Sequence, residues 1–338
     1  MIEVILTAEG HAEAVERPQP SAHGDIVTVR VDVAPMCTEF RARGDGIEHD
    51  DLGHEAAGVV VDAGGSTRVR AGDRVVVMPQ LGCGKCAYCV QGDHIYCLTP
   101  RDVRAETGST TGIATYAQYV LKPDYLLLPV PDDVSLEHAA AACCLLGPGL
   151  HATSRMNVGV LDTVLVSGAG PVGLGAIINA GFRGARVLVL EANPYRQELA
   201  RRLGAEVFDP FSADTDNAIA AAAPGGITAA IETSGVASVP ARLAGLVRRL
   251  GQLAIVAWGT DVVLPPLVPT GLSVHGCWHW NHVRLADQMW ATIRGSREAL
   301  DLVTTHHLDL TEADAAMDVQ QSGQCGKVFL HPHGRSGE

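Results

Sequence analysis

Thr163-Val164-Leu165-Val166-Ser167-Gly168-Ala169-Gly170-Pro171-Val172-Gly173 is the stretch that decides the fold. A short apolar, β-branched run predicts a buried strand over 163–166, and a helical stretch begins at Pro171 and continues to Ala180. The glycines lie between them in a G-x-G-x-x-G pattern, the setting that a dinucleotide-binding fingerprint requires. Gly168 permits the tight turn, Gly170 lets a pyrophosphate approach the backbone, and Gly173 lets helix and strand pack closely. The helix N-terminus, where Pro171 and Val172 stand, presents unpaired N–H groups to phosphate.

Outward from this turn, 186–190 reads as a second strand and 194–203 as a helix. Glu191 ends the second strand, where a carboxylate accepts from both ribose hydroxyls of NAD and repels a 2′-phosphate. A solvated helix-start residue is the plainer reading of Glu191. Arg196 either reaches a 2′-phosphate or lies over the adenine, and the balance points to NAD over NADP. Further strands at 205–208, 227–231 and 252–256, with a helix at 240–250, continue the alternation. That alternation predicts an α/β fold: a Rossmann doubly wound parallel sheet covered on both faces.

The first half has a different texture. Short β-branched runs at 26–31, 58–61 and 74–77, with the turn signal Gly72-Asp73, predict an irregular, mostly β domain. The tail returns to helix at 285–293, a helical stretch near Glu312 and a strand at 327–330. A chain of 338 residues suggests two domains. The expected division is 1–148 with 286–338 as a discontinuous catalytic domain, and 149–285 as the dinucleotide domain.

A net charge of −13 repels phosphate backbones and anionic lipid, so no nucleic-acid or membrane partner is expected. The apolar run 139–146 is far short of the roughly 20 residues needed to span a bilayer. Met1-Ile2-Glu3-Val4 lacks the basic start of a signal peptide, so a cytoplasmic location is expected. In a reducing compartment, nine cysteines are metal ligands or core residues before they are disulfides. Cys83, Cys86, Cys89 and Cys97 have the spacing with which a tight loop converges four thiolates on one ion, a closed structural site. Two disulfides or free thiols are the alternatives. Cys37, His54 and the pair Cys143-Cys144 each have a bland explanation alone, and Cys277 and Cys325 read as core or surface thiols.

Taken together, these motifs resemble the medium-chain zinc alcohol and polyol dehydrogenases along nearly the whole chain. The resemblance rests on Gly53-His54-Glu55-Ala56-Ala57-Gly58, the four-cysteine lobe, Thr111 to Val120, the glycine turn and Gly326-Lys327-Val328. Gly149-Leu150-His151-Ala152 is similar to the sorbitol-dehydrogenase-like branch. The resemblance implies a mostly β, GroES-like catalytic domain beside the Rossmann domain, two zinc ions per chain and NAD. It implies a catalytic zinc on Cys37, His54 and Cys144, with Cys143 the off-by-one alternative and Glu55 an alternate ligand or a carboxylate behind the ligands. Lys327 joins the implied cofactor-binding residues. The implied reaction is hydride transfer between a secondary alcohol (a polyol, cyclitol or similar) and NAD, in a homodimer or homotetramer whose only other partner is the small alcohol or ketone. A carbonyl reductase of the same fold and a non-catalytic relative are the rivals. One departure stands out. The family reads Cys-Gly-Thr/Ser-Asp after the first ligand, and this chain reads Cys37-Thr38-Glu39-Phe40. Either Thr38 relays the substrate proton or Glu39 takes the hydroxyl's place. Trp258, Trp278, Trp280 and Trp290, with His279, Asn281 and His282, form a cluster that lines a cleft, forms an interface or simply packs.

Overall fold

The computed structural model describes residues 1–257 and 262–334, so Trp258 lies outside the described residues. The strand that opens the glycine turn, Thr163–Ser167, belongs to a six-stranded sheet with every neighbouring pair parallel. Its order from one edge is 206–208, 186–190, 163–167, 227–232, 247–255 and 273–276. Ranked by chain position this is the doubly wound order, which reverses between 163–167 and 227–232. Val164, Leu165 and Val166 are fully buried, which is why this strand reads as a continuous apolar run and not as an alternation. Leu165, Leu188, Leu190, Ile219, Ala230, Leu243 and Leu253 share one core with it.

The chain divides into two compact units, 1–143 with 281–294 and 304–338, and 144–280 with 295–303. The expected boundaries at 148/149 and 285/286 therefore move to 143/144 and 280/281. Helix Arg297–Val303, expected in the catalytic domain, belongs to the second unit: it buries Leu300 and Val303 and packs on helix Pro171–Phe182. The helix expected over 240–250 stops at Leu246. Val247 already pairs with Ile227 in the sheet, after which the strand bulges before Gln252 pairs with Ala229. Apolar residues on both sides of this junction hide it in the sequence.

In the first unit, strand Ile26–Pro35 is the hub. It pairs antiparallel with Ala56–Asp62, Tyr119–Pro123 and Lys327–His331, and the sheet continues through Arg74–Val77 to Leu127–Pro129. At the other edge Thr304–Asp309 runs parallel to Lys327–His331. Val29, Val31, Val60, Val75, Val77, Tyr116 and Leu330 fill the core. The two-stranded ladder Ile2–Leu6 with Ala12–Glu16 was not anticipated. Among the described residues no helix is long and apolar enough to cross a membrane.

Within the second unit, helices Gly147–Arg155 and Pro171–Phe182 approach closely enough that a Cβ on Gly175 would stand 1.6 Å from the Leu145 carbonyl oxygen. The Asn179 amide spans the contact, donating to Leu146 O at 3.0 Å and Gly175 O at 2.8 Å. Gly181, on the same helix, has nothing within 4 Å of its Cβ position. Gly175→Ala is therefore expected to destabilise the protein by about 1–3 kcal/mol, as overpacking does. Gly181→Ala should stabilise it by roughly 0.5–1 kcal/mol through helix propensity. Thermal melts of the two variants check this, and equal shifts would refute the close crossing.

Candidate active site

The four-cysteine lobe is built on a chain reversal around the short helix Ala87–Val90, with Cys86 at its N-cap. Cys83 and Cys89 sulfurs are 4.0 Å apart, and those of Cys86 and Cys97 are 3.8 Å apart. A tetrahedral zinc with bonds of about 2.3 Å places its sulfurs about 3.8 Å from each other. A disulfide needs about 2.05 Å, so the lobe fits an ion and not a bridge. Backbone amides already favour thiolate: Cys83 N donates to Cys97 Sγ at 3.2 Å and Cys86 N to Cys83 Sγ at 3.3 Å. Amides of Lys85 and Cys86 hold the Cys83 thiol down at about 6.

Part of the tryptophan-cluster segment seats this lobe. Asn281 Nδ2 donates to Gln91 O at 2.8 Å and Asp93 Oδ1 at 2.9 Å, and Arg284 reaches the same Asp93 at 2.9 Å. His282 stacks on His94 with ring centroids 5.2 Å apart. Trp280 and Trp290 are buried, and Trp278 is exposed.

A second donor group forms because two strands run antiparallel. Strand Ile26–Pro35 pairs with Ala56–Asp62, matching Val33 with Ala57, so Cys37 beyond the end of one meets His54 and Glu55 just before the start of the other. Gly53 turns the chain there with φ +85°, and a Cβ on it would strike the Tyr116 ring at 2.3 Å. Cys144, joined by its peptide bond to the last residue of the first unit, completes the set. One ligand atom each of Cys37, His54, Glu55 and Cys144 lies within 4.8 Å of all the others. Cys143 faces away: its buried thiol lies 3.5 Å from Val77 O and burial pushes its pKa up.

Glu39 occupies a defined place beside this group. Its Oε1 lies 2.8 Å from His54 Nδ1, and its Oε2 accepts from Tyr116 OH and from Cys37 N, each at 2.9 Å. Burial would raise the Glu39 carboxyl, but the facing His54 and the amides of Glu39 and Cys37 outweigh it and hold the group at about 2. A carboxylate on Nδ1 turns His54 Nε2 toward the other donors, 3.9 Å from Glu55 Oε1, the arrangement that metal-ligating histidines adopt. Thiolate, imidazole and carboxylate donors suit zinc, so the residues present fit that metal. Thr38 is the N-cap of the 3₁₀ turn Glu39–Gly44, exposed and making no capping bond.

Lys327, expected among the cofactor-binding residues, lies next to Glu55. Its ammonium lies 2.7 Å from Glu55 Oε1, and both side chains are 0% exposed. In this structure it is the buried counter-charge of Glu55. Burial keeps the Glu55 carboxyl at about 7 even so, with Lys327 pulling it down. Sequence reasoning assigns Tyr116 no role and places His279 only in the tryptophan cluster. Tyr116 holds Glu39, and His279 places Nε2 3.8 Å from Cys144 Sγ on a backbone with φ +45°. Tyr116 lies within the Thr111 to Val120 motif, but nothing in that motif announces its bond to Glu39.

In the second unit, the glycine turn has the shape its sequence implies. Gly168 has φ +90°, and a Cβ on Gly173 would stand 1.9 Å from the Gly168 carbonyl oxygen. A Cβ on Gly170 would meet only Arg196 Nη1, at 3.8 Å. The protein's own packing therefore does not demand glycine at 170, whereas a ligand lying against the backbone would. Glu191 is buried, accepting from Ala169 N and from Asn193 N, the latter at 2.7 Å, so its carboxylate braces the turn. The residues present fit a dinucleotide.

Residues 23–132 match the alcohol dehydrogenase GroES-like domain and residues 171–294 the zinc-binding dehydrogenase domain. The chain is 29% identical over 298 residues to an L-threonine 3-dehydrogenase of Francisella tularensis, covering 82% of this chain and 81% of that one. Alcohol dehydrogenase TADH from Thermus sp. ATN1 superposes with a TM-score of 0.87 at 24% identity, covering 98% of this chain and 99% of that one. A structure described as an NAD-dependent alcohol dehydrogenase gives a TM-score of 0.81 at 25% identity over the same shares. With both domain matches in order and two cysteine-bearing donor groups in place, the chain belongs to the medium-chain zinc-dependent alcohol dehydrogenase family and is an enzyme of that kind.

Proposed function

We propose that this enzyme transfers hydride between a secondary alcohol and NAD, with the catalytic zinc on Cys37, His54 and Cys144 and a structural zinc in the lobe. The observation that carries the reading is the Glu39 carboxylate 2.8 Å from His54 Nδ1, beside two cysteines and a glutamate. Such a shell orients a histidine toward a metal. When bound, zinc supplies Lewis acidity that lowers the pKa of a substrate hydroxyl, and NAD supplies the hydride acceptor. Glu39 fixes the His54 tautomer and ring direction. Its oxygens are committed to His54, Tyr116 and Cys37, so the proton relay falls to the exposed hydroxyl of Thr38. Glu55 stays back on Lys327, keeping one carboxylate near the donors without leaving its charge unpaired. Glu191 braces the glycine turn through Ala169 and Asn193 and offers its remaining lone pairs to the ribose hydroxyls.

The substrate proposal is a small secondary alcohol. L-Threonine, named in the curated relatives, and polyols or cyclitols, suggested by sequence, are the panel to assay with NAD and, in reverse, with NADH. Thr38→Val should cut kcat roughly 10²–10⁴-fold, the usual contribution of positioned acid–base catalysis, with zinc content unchanged. Glu39→Gln should instead weaken zinc binding at the second group roughly 10–100-fold. Kinetics with metal analysis separate the two, and the reverse pattern would move the relay to Glu39. For cofactor choice, Glu191→Ala should raise the KM for NAD and narrow the NAD/NADP preference by roughly tenfold or more, the loss of a hydrogen bond to a charged acceptor. A wild-type preference for NADP would overturn that assignment.

A further inference from the structure

Glu137, His307 and His331 reach one point of the first unit from three separate stretches of chain. Glu137 stands in the first turn of helix Leu136–Ala140, which Ser135 caps. His307 lies on strand Thr304–Asp309, and His331 ends strand Lys327–His331. These strands pair in parallel, with His307 opposite Phe329 and Asp309 opposite His331. The two histidines are therefore diagonal neighbours on one face, while Leu308, Val328 and Leu330 serve the core. Their rings stack with centroids 5.2 Å apart, and His307 Nδ1 is 2.9 Å from His331 Nε2. Glu137 Oε1 lies 3.9 Å from each of those two nitrogens. Phe329 packs edge-on against the His307 ring at 84° and steadies it.

We propose that this triad is a third divalent-metal site, distinct from the two cysteine-bearing groups and independent of the dehydrogenase reading. Three donor atoms already form a triangle with edges of 2.9, 3.9 and 3.9 Å. Around a tetrahedral ion with bonds of about 2.0–2.1 Å, donors stand about 3.3 Å apart, so closure needs the two histidine nitrogens to part by a few tenths of an ångström and the carboxylate to swing inward by a similar amount. Glu137 is free to swing: its side chain is 48% exposed, against 21% for His307 and 5% for His331. Two imidazoles and one carboxylate select zinc, cobalt, nickel or copper over magnesium or calcium. Without a thiolate, this site holds its ion more loosely than the other two. The exposed side supplies the entry path and leaves a position for water. The ion acts as a clamp. It ties the helix that leads into Cys143 to the strand whose other end carries Lys327, about 13 Å away at 3.3 Å per residue.

The test uses full-length enzyme with its two cysteine-bearing sites filled with zinc and loose metal removed by dialysis. Cobalt(II) is then titrated in, with equilibrium dialysis, visible absorption and thermal melting as readouts. One further cobalt per chain is expected, with a weak visible band, no intense near-ultraviolet thiolate band and a rise in Tm. Glu137→Gln and His307→Gln should each weaken that binding at least roughly tenfold and abolish the Tm rise, with zinc content unchanged. Glu137 is half-exposed, so its variant decides the matter should His307→Gln fail to fold. No additional cobalt, or undiminished affinity in Glu137→Gln, would overturn the proposal: the histidines would then merely share a proton beside a surface carboxylate.

Discussion

Cys37, His54, Glu55 and Cys144 are held with their donor atoms within 4.8 Å of one another, and the surrounding chain is arranged to make that tolerable. At an effective dielectric of about 20, two like unit charges at that spacing repel by about 3 kcal/mol. Two thiolates and a carboxylate together demand compensation. Lys327 supplies one positive charge to Glu55 from a fully buried position. Glu39 in turn faces the imidazole and leaves its other nitrogen for the ion. On the proposed reading a divalent cation supplies the rest. Buried charges in this number are stable as a set and costly singly, which explains why Glu39, Tyr116 and Lys327 surround the donors with such complete pairing.

The two cysteine-bearing groups answer different physical problems. The lobe is local: four ligands lie within one loop, backbone amides point at the sulfurs, and Asn281 and Arg284 pin its tip through Asp93. An ion there contributes folding energy directly. The second group is assembled by pairing of the strands Ile26–Pro35 and Ala56–Asp62, so its geometry is only as good as the sheet register. A one-residue slip would turn every side chain of a strand to the other face. The geometry of this donor group thus rests on the valine-rich core beneath those strands.

This difference explains what could be read from sequence. Strands Arg74–Val77 and Arg186–Leu190 appear where apolar runs end at turn residues, and the glycine turn and lobe are recognisable because all their chemistry lies within a few residues. The resemblance implies Cys144 before Cys143, and it is the Cys144 sulfur that lies with the donor atoms of Cys37, His54 and Glu55. What was not legible is what only tertiary contact creates. Nothing in Cys37-Thr38-Glu39 says that Glu39 reaches His54, and nothing near Lys327 announces Glu55. Strand Thr304–Asp309 has no fully apolar face and draws its stability from its partner Lys327–His331. Helix Arg297–Val303 changes units because it buries Leu300 and Val303 and packs on helix Pro171–Phe182, a contact without a local signal.

The central claim is that Cys37, His54 and Cys144 constitute a metal centre separate from the lobe. Counting tightly held zinc, after dialysis against a weak chelator, tests it most directly. The account requires two zinc ions per chain in the wild type, and one in His54→Ala with the fold and the lobe's ion retained. One zinc per wild-type chain, lost only when a lobe cysteine is replaced, would contradict it.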